Sequence, residues 1–310
     1  MNAVIMPIER LISECDNLYF ESKKCCFTGC SRESIVSHTI AENYLSKLNQ
    51  PLTKVLTFQP RIGRIVKKYA PQYVMKIDKS RFSTFKGFCE SHDNDLFKLI
   101  DNFNGEMDKE KAALVHYRNI CYGIYHIKTQ QLREKHLAQQ NYTYDASVDE
   151  GIAIKELLEK GHLKARLAYC LQEHLSRKAL LEKIMNSGKF EEVEFIEIKG
   201  DLNNNPIFSG RSGYLLHRKH RLFDHLGYSS MPWITYQTLL TTNCNHLVFC
   251  WLKKDRNHSK YFKKILRNLN FESTLAALAY SCSDSLAVTE DHYNTHIVAI
   301  DTLIKEFRVY

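Results

Sequence analysis

The sequence predicts an α+β protein in three parts: a Cys/His-rich N-terminal segment, a long helical hairpin and a small α/β module. Three observations carry this expectation. Cys and His residues at metal-ligand spacings fall within the first hundred positions. Apolar residues then recur at helical intervals from Met107 to Ile184. The remainder gives short strand-like runs followed by helical segments. The expected boundaries are residues 1–105, 106–188 and 189–310.

Residues 1–22 read as a short helix, with Ile5, Ile8, Leu11 and Ile12 on one face. Residues 23–103 hold strands at Ser34–His38 and Val55–Phe58, then a helix over Asp93–Phe103. From Met107, the spacing of Val115, Ile120, Ile124 and Ile127 predicts a long helix. Tyr142–Asp149 is a polar break. A second long helix follows through Leu157, Leu163, Leu171 and Ile184, and Ser187–Gly188 closes it. Two long helices around a polar break predict an antiparallel hairpin. Strands are expected at Val193–Lys199, Phe208–Leu216, Ile234–Thr241 and His246–Leu252. Helices over Lys260–Asn268, Ser273–Ser281 and His292–Phe307 finish the chain.

Composition narrows the function classes. Hydrophobic residues at 44% and charged residues at 25% are ordinary for a globular chain and exclude a disordered one. No apolar run is long enough to span a bilayer. Glu9 and Glu14 interrupt the N-terminus before a secretion signal could form. Ten cysteines without such a signal predict a reducing, cytoplasmic setting, where Cys and His serve as metal ligands or buried thiols. The net charge is +8, and Lys54–Lys86 alone carries nine basic residues against Asp78. Phe58, Tyr69, Tyr73, Phe82 and Phe85 interleave with them. Basic residues with aromatics suit a phosphate backbone and stacked bases, so nucleic acid is the expected partner. Arg61, Arg64, Lys67, Lys68, Lys79 and Arg81 are the candidate contacts. A solvated basic face is the competing reading.

The densest chemistry lies in two pairs. Cys26 and Cys30 form Cys-x3-Cys around Phe27-Thr28-Gly29, and Cys89 and His92 form Cys-x2-His at a helix start. A glycine-containing knuckle and a three-residue helical offset each aim two ligands at one point. Four nitrogen or sulfur ligands make a tetrahedral zinc site. Knuckle, strands, then a ligand-bearing helix is the order of a treble-clef finger. Cys25 could replace Cys26, and His38 could replace a weaker ligand. His38 ends the β-branched run Ser34-Ile35-Val36-Ser37-His38, and Asp93 follows His92 directly. An imidazole to deprotonate water and a carboxylate to hold Mg²⁺ or Mn²⁺ are the minimum for phosphodiester hydrolysis. A core or zinc-binding histidine and a helix-start acid are the plain alternatives.

At these residues the chain resembles the HNH, or His-Me finger, nucleases. The carriers are the knuckle Cys26-Phe27-Thr28-Gly29-Cys30, the strand Ser37-His38-Thr39-Ile40 and the helix Cys89-Glu90-Ser91-His92-Asp93. It is similar also to a bacterial group sharing Ser-Thr-Phe-x-Gly-Phe-Cys-x2-His-Asp-x2-Leu-Phe, here Ser83 to Phe97. That likeness continues through Tyr117-Arg118 and reaches Val248–Leu252. The resemblance implies that His38 is the general base, that Asp93 holds the catalytic metal, and that Asn43 orients the base. Ser37 stands where many of these nucleases have Asp. The basic block between His38 and Cys89 would be an insertion.

Two readings follow. One is a zinc-stabilised, Mg²⁺- or Mn²⁺-dependent endonuclease, which suits bacterial antiphage defence by analogy. The other is a non-catalytic zinc finger that binds nucleic acid or protein. A homodimer or partner contact through the helical or C-terminal part fits either reading. No phosphate loop, dinucleotide fingerprint or nucleophile elbow is present. His217, His220 and His225 read as a solvated basic strand end.

Overall fold

The computed structural model describes residues 6–7, 10, 13–15, 17–46, 54–58, 74–139, 142–143, 162–201, 206–211, 233–257, 260 and 283–295. They form a mixed helix and sheet structure. The strands are β1 (Met6–Pro7), β2 (Val36–His38), β3 (Lys54–Phe58), β4 (Val74–Asp78), β5 (Thr84–Lys86), β6 (Tyr142–Thr143), β7 (Val193–Asp201), β8 (Ile207–Arg211), β9 (Ile234–Leu240), β10 (Cys244–Leu252) and β11 (Ser283–Val288). The helices are α1 (Glu42–Leu45), α2 (Glu90–Asn94), α3 (Lys98–Asp101), α4 (Lys109–Gln139) and α5 (His162–Ser187).

Seven strands make one antiparallel sheet in the order β4-β3-β11-β8-β9-β10-β7. Strands β8 and β9 are buried along their whole length and β10 nearly so, so both faces of the sheet centre are covered. Helix α4 lies against one face. Its residues 112–124 are all buried, because the sheet, α5 and the N-terminal segment surround it. A helix enclosed on every side is apolar nearly all round, which is why Ala112, Leu114, Val115, Ile120 and Ile124 do not confine themselves to one stripe. Each fully buried aliphatic side chain contributes about 1.5–3 kcal/mol. Burial holds His116 neutral, with its pKa down at about 3, and its Nδ1 meets Thr235 Oγ1 at 2.8 Å.

The hairpin of long helices is present. Tyr117 meets Glu182, Gly123 lies against His174, and Ile127 packs with Leu167 and Cys170, so α4 and α5 run antiparallel. Gly123 permits the approach: a Cβ there would stand 2.5 Å from His174 Nε2 and from Arg211 Nη1.

Four expectations change. The segments expected as separate domains, 1–105, 106–188 and 189–310, share one sheet and one core. Strand β3 pairs with β11, and the buried apolar cluster runs from Cys25 to Ala287. The N-terminal helix gives way in part to β1, which pairs in parallel with β6; residues 13–15 are helical. The helix over Asp93–Phe103 is two short helices, because Phe97 turns inward between them to pack on Phe88 and Tyr117. Strand β11 lies in a region expected to be mostly helical. Arg61, Arg64, Lys67, Lys68 and the helix expected at Ser273–Ser281 lie outside the described residues.

Candidate metal centre and pocket

Two centres meet on α2. The first is built by a knuckle and a helix start. Cys25 N–H donates to Arg32 O at 2.9 Å and Cys26 N–H to Gly87 O at 2.7 Å, which fixes the chain entering the knuckle. Gly29 takes φ +83°, a left-handed conformation that lets Cys30 return. Cys89 is the residue before α2, and His92 is one turn on.

The ligand atoms of Cys25, Cys30, Cys89 and His92 all lie within 4.8 Å of one another, a set that could hold a metal ion. Cys25 Sγ and Cys89 Sγ stand 3.3 and 3.4 Å from His92 Nδ1. Cys30 Sγ stands 3.8 Å from Cys89 Sγ. A tetrahedral ion with metal–sulfur bonds of about 2.3 Å has sulfur–sulfur edges of about 3.8 Å. Burial, then nearby Arg32, lowers the His92 pKa and favours the neutral, metal-binding imidazole. The Arg32 side chain donates to Cys30 and holds its thiol down at about 7. Phe27 stacks on His92, with ring centroids 4.4 Å apart.

Cys26 is not in this cluster; Cys25 takes the place expected for it. Neighbouring residues of an extended segment point in opposite directions. Cys25 therefore faces His92, while Cys26 faces Cys121 of α4, and burial followed by that contact pushes its thiol well up. The knuckle is tied to the long helices. Thr28 N–H donates to Glu182 Oε1 at 3.0 Å, Lys178 donates to Thr28 Oγ1 at 2.9 Å, and Tyr117 O–H donates to Glu182 at 2.7 Å.

The second centre opens on the other side of α2. Strands β2 and β5 form an antiparallel ribbon in which His38 faces Thr84. Beyond His38 the chain is held by Ser83, which sits at φ 54°: its carbonyl accepts from Thr39 N–H at 2.9 Å, and its hydroxyl accepts from Ile40 N–H at 3.2 Å. A non-glycine residue in that conformation is strained and is fixed by its surroundings. An open pocket of about 120 Å³ follows, lined by His38, Glu42, Asn43, Asp93, Asp101 and Arg118. His38 Nε2 and Asp93 Oδ1 are both buried and have no hydrogen-bond partner among the described residues. Most buried polar atoms in folded proteins have a partner. Burial raises the Asp93 pKa, against the opposing pull of Arg118 and the Ser37 hydroxyl. Ser37 is fully buried and also accepts from Phe88 N–H at 3.3 Å.

The pocket thus brings together His38, Asp93 and Asn43. Asn43 does a different job from the one expected: its amide donates to Asp101 O at 2.9 Å, which fixes α3 rather than the base. Two pocket residues had no expected role. Asp101 and Arg118 form a bidentate pair at 2.6 and 2.8 Å, and the guanidinium stacks 4.0 Å from the Phe97 ring centre. Arg118 belongs to the motif likeness, but nothing local in the sequence points it at Asp93. Of the expected nucleic-acid contacts, Lys79 and Arg81 are described; they lie in the turn before β5, and Lys79 donates to Ser46 at the end of α1. Among the described residues, no helix is long and apolar enough to cross a membrane. No protein-family model, curated protein or solved structure matches the chain.

Proposed function

We propose that this chain is a metal-dependent endonuclease that hydrolyses phosphodiester bonds of DNA from a zinc-bound treble-clef finger of the His-Me type. The observation that carries the reading is the pair of buried, unpartnered atoms, His38 Nε2 and Asp93 Oδ1, on one cavity beside the Cys3His cluster. Three thiols and an imidazole are a donor set that structural zinc favours. The ribbon β2–β5 followed by α2 supplies the finger's strands and helix. A reducing cytoplasm suits the cluster's free thiols.

Charge explains the need for a cation. Glu42, Asp93 and Asp101 outnumber Arg118 in the pocket lining, so the cavity repels a phosphodiester. A divalent ion, Mg²⁺ or Mn²⁺, would offset that charge and stabilise the leaving oxygen. Asp93 Oδ1 is the oxygen free to hold it. His38 Nε2 accepts a proton from water, whose oxygen attacks phosphorus. Ser37 keeps the Asp93 carboxyl in place from behind. Lys79 and Arg81 stand beside the pocket to meet flanking phosphates.

One observation favours a second reading, a non-catalytic finger that binds nucleic acid. Ser37 brings no carboxylate to the strand, and Asp101 is taken up by Arg118. The test is cleavage of plasmid and single-stranded DNA with Mg²⁺ and then Mn²⁺, beside His38→Ala. Metal-dependent nicking that the variant loses, with zinc content and fold unchanged, is the expected result. Salt-sensitive binding without turnover, in wild type and variant alike, would establish the second reading.

A further inference from the structure

Arg118 is 2% exposed, yet it lines the cavity that also holds His38 and Asp93. A guanidinium carries five N–H donors. The carboxylate of Asp101 takes one on Nη1 and one on Nη2. Nε is buried and has no partner among the described residues. The donors left over are Nε–H and the second hydrogens of Nη1 and Nη2. Nε–H and the Nη hydrogen beside it point in parallel, which is the fork that fits two oxygens of one phosphate. Phe97 supports the plane from one side, and Asp101 grips its tip, so the fork needs no reorganisation to act. Asp101 is in turn fixed through its backbone carbonyl by Asn43, and the neighbouring Ile100 carbonyl accepts from Tyr44 O–H. Three elements, α1, α3 and α4, thus converge on one guanidinium.

We propose that Arg118 is a third catalytic residue of the pocket, donating to the non-bridging oxygens of the scissile phosphate, with Asp101 as its positioning residue. The proposal rests on the endonuclease reading and adds to it the group that stabilises charge on phosphorus as the water oxygen bonds and the leaving oxygen departs. The negative charge that grows on the two non-bridging oxygens is met by N–H donors from one side, while the proton goes to His38.

Two experiments on the full chain test it, and the second does not need turnover. In the first, Arg118→Lys keeps the charge and loses the fork. The expected result is a fall in kcat of about 100- to 1,000-fold, as for loss of one transition-state donor, with KM for DNA, melting temperature and zinc content little changed. Arg118→Ala should regain at least tenfold in rate on addition of millimolar guanidinium. Asp101→Asn should lower kcat without raising KM. In the second, a fluorescent duplex oligonucleotide is titrated with Ca²⁺ present, in His38→Ala and in His38→Ala/Arg118→Lys and His38→Ala/Arg118→Met. Loss of the fork with charge kept should leave affinity and its salt slope little changed, in keeping with the unchanged KM. Loss of the charge as well should lower the slope of log affinity against log salt by about 0.9, one phosphate contact. Normal cleavage by a folded Arg118→Lys would overturn the proposal and leave the endonuclease standing. No cleavage by wild type, with the slope change seen, would keep Arg118 as a phosphate contact and remove the nuclease. An unchanged slope on loss of the charge, or no DNA binding at all, would overturn the proposal.

Discussion

The two centres on α2 are one residue apart in sequence and opposite in character. His92 belongs to a set whose ligand atoms already face one another within 4.8 Å. Asp93 belongs to a pocket where its Oδ1 and the Nε2 of His38 have no hydrogen-bond partner among the described residues. Soft thiolates close around an ion and leave no open position, which is how a metal builds structure. A hard oxygen and an imidazole left unpaired in a cavity are a cost to the fold, retained where they do chemistry. On the proposed reading, the same turn of helix serves stability with one residue and reactivity with the next.

The largest expected effect comes from the closed centre. Cys89→Ser, or a strong chelator, should release the metal and melt the knuckle, the β2–β5 ribbon and α2, because apparent binding energies of about 10–16 kcal/mol for structural zinc are folding energy. Metal analysis and circular dichroism check this; full metal occupancy in Cys89→Ser would break the comparison. His38→Ala should do the reverse, lowering cleavage about 100- to 10,000-fold while metal content and melting temperature stay at the wild-type level.

A finer contrast separates adjacent thiols. Cys25→Ser should lose metal, whereas Cys26→Ser should keep it and cost about 1 kcal/mol in a denaturant titration. Equal metal loss from both would mean that the knuckle can present either sulfur. The smallest effect has the opposite sign. Asp93 has a folded pKa raised by burial above its ordinary value of 3.8. The unfolded chain therefore gives up that proton first, stability falls as pH rises through the window between the two values, and the penalty is fully present at pH 7. Asp93→Asn should accordingly raise the melting temperature slightly at pH 7 and show no such gain below pH 3, while cation-dependent activity is lost. A lower melting temperature at pH 7 would mean that the carboxylate is part of the framework.

What the sequence made legible was local. Cys30, Cys89 and His92 follow from spacing, and His38 and Asp93 from their place beside them. Whether Cys25 or Cys26 turns to the metal depends on which pleat faces α2, and that is set by the bonds to Arg32 and Gly87, not by spacing. Arg118 and Asp101 meet only because Phe97 breaks the expected helix and brings α3 against α4. The division into three parts failed for the same reason: β3 finds its neighbour β11 across most of the chain, and no window of residues contains both.

That last pairing has a consequence for synthesis. The two strands of the ribbon, β2 and β5, are separated in sequence by β3 and β4, which reach the large sheet only through β11. On a ribosome the hairpin emerges early and waits for more than two hundred residues until its docking edge exists. A chain interrupted before residue 283 therefore carries every ligand and pocket residue and lacks the strand that joins β3 and β4 to the large sheet.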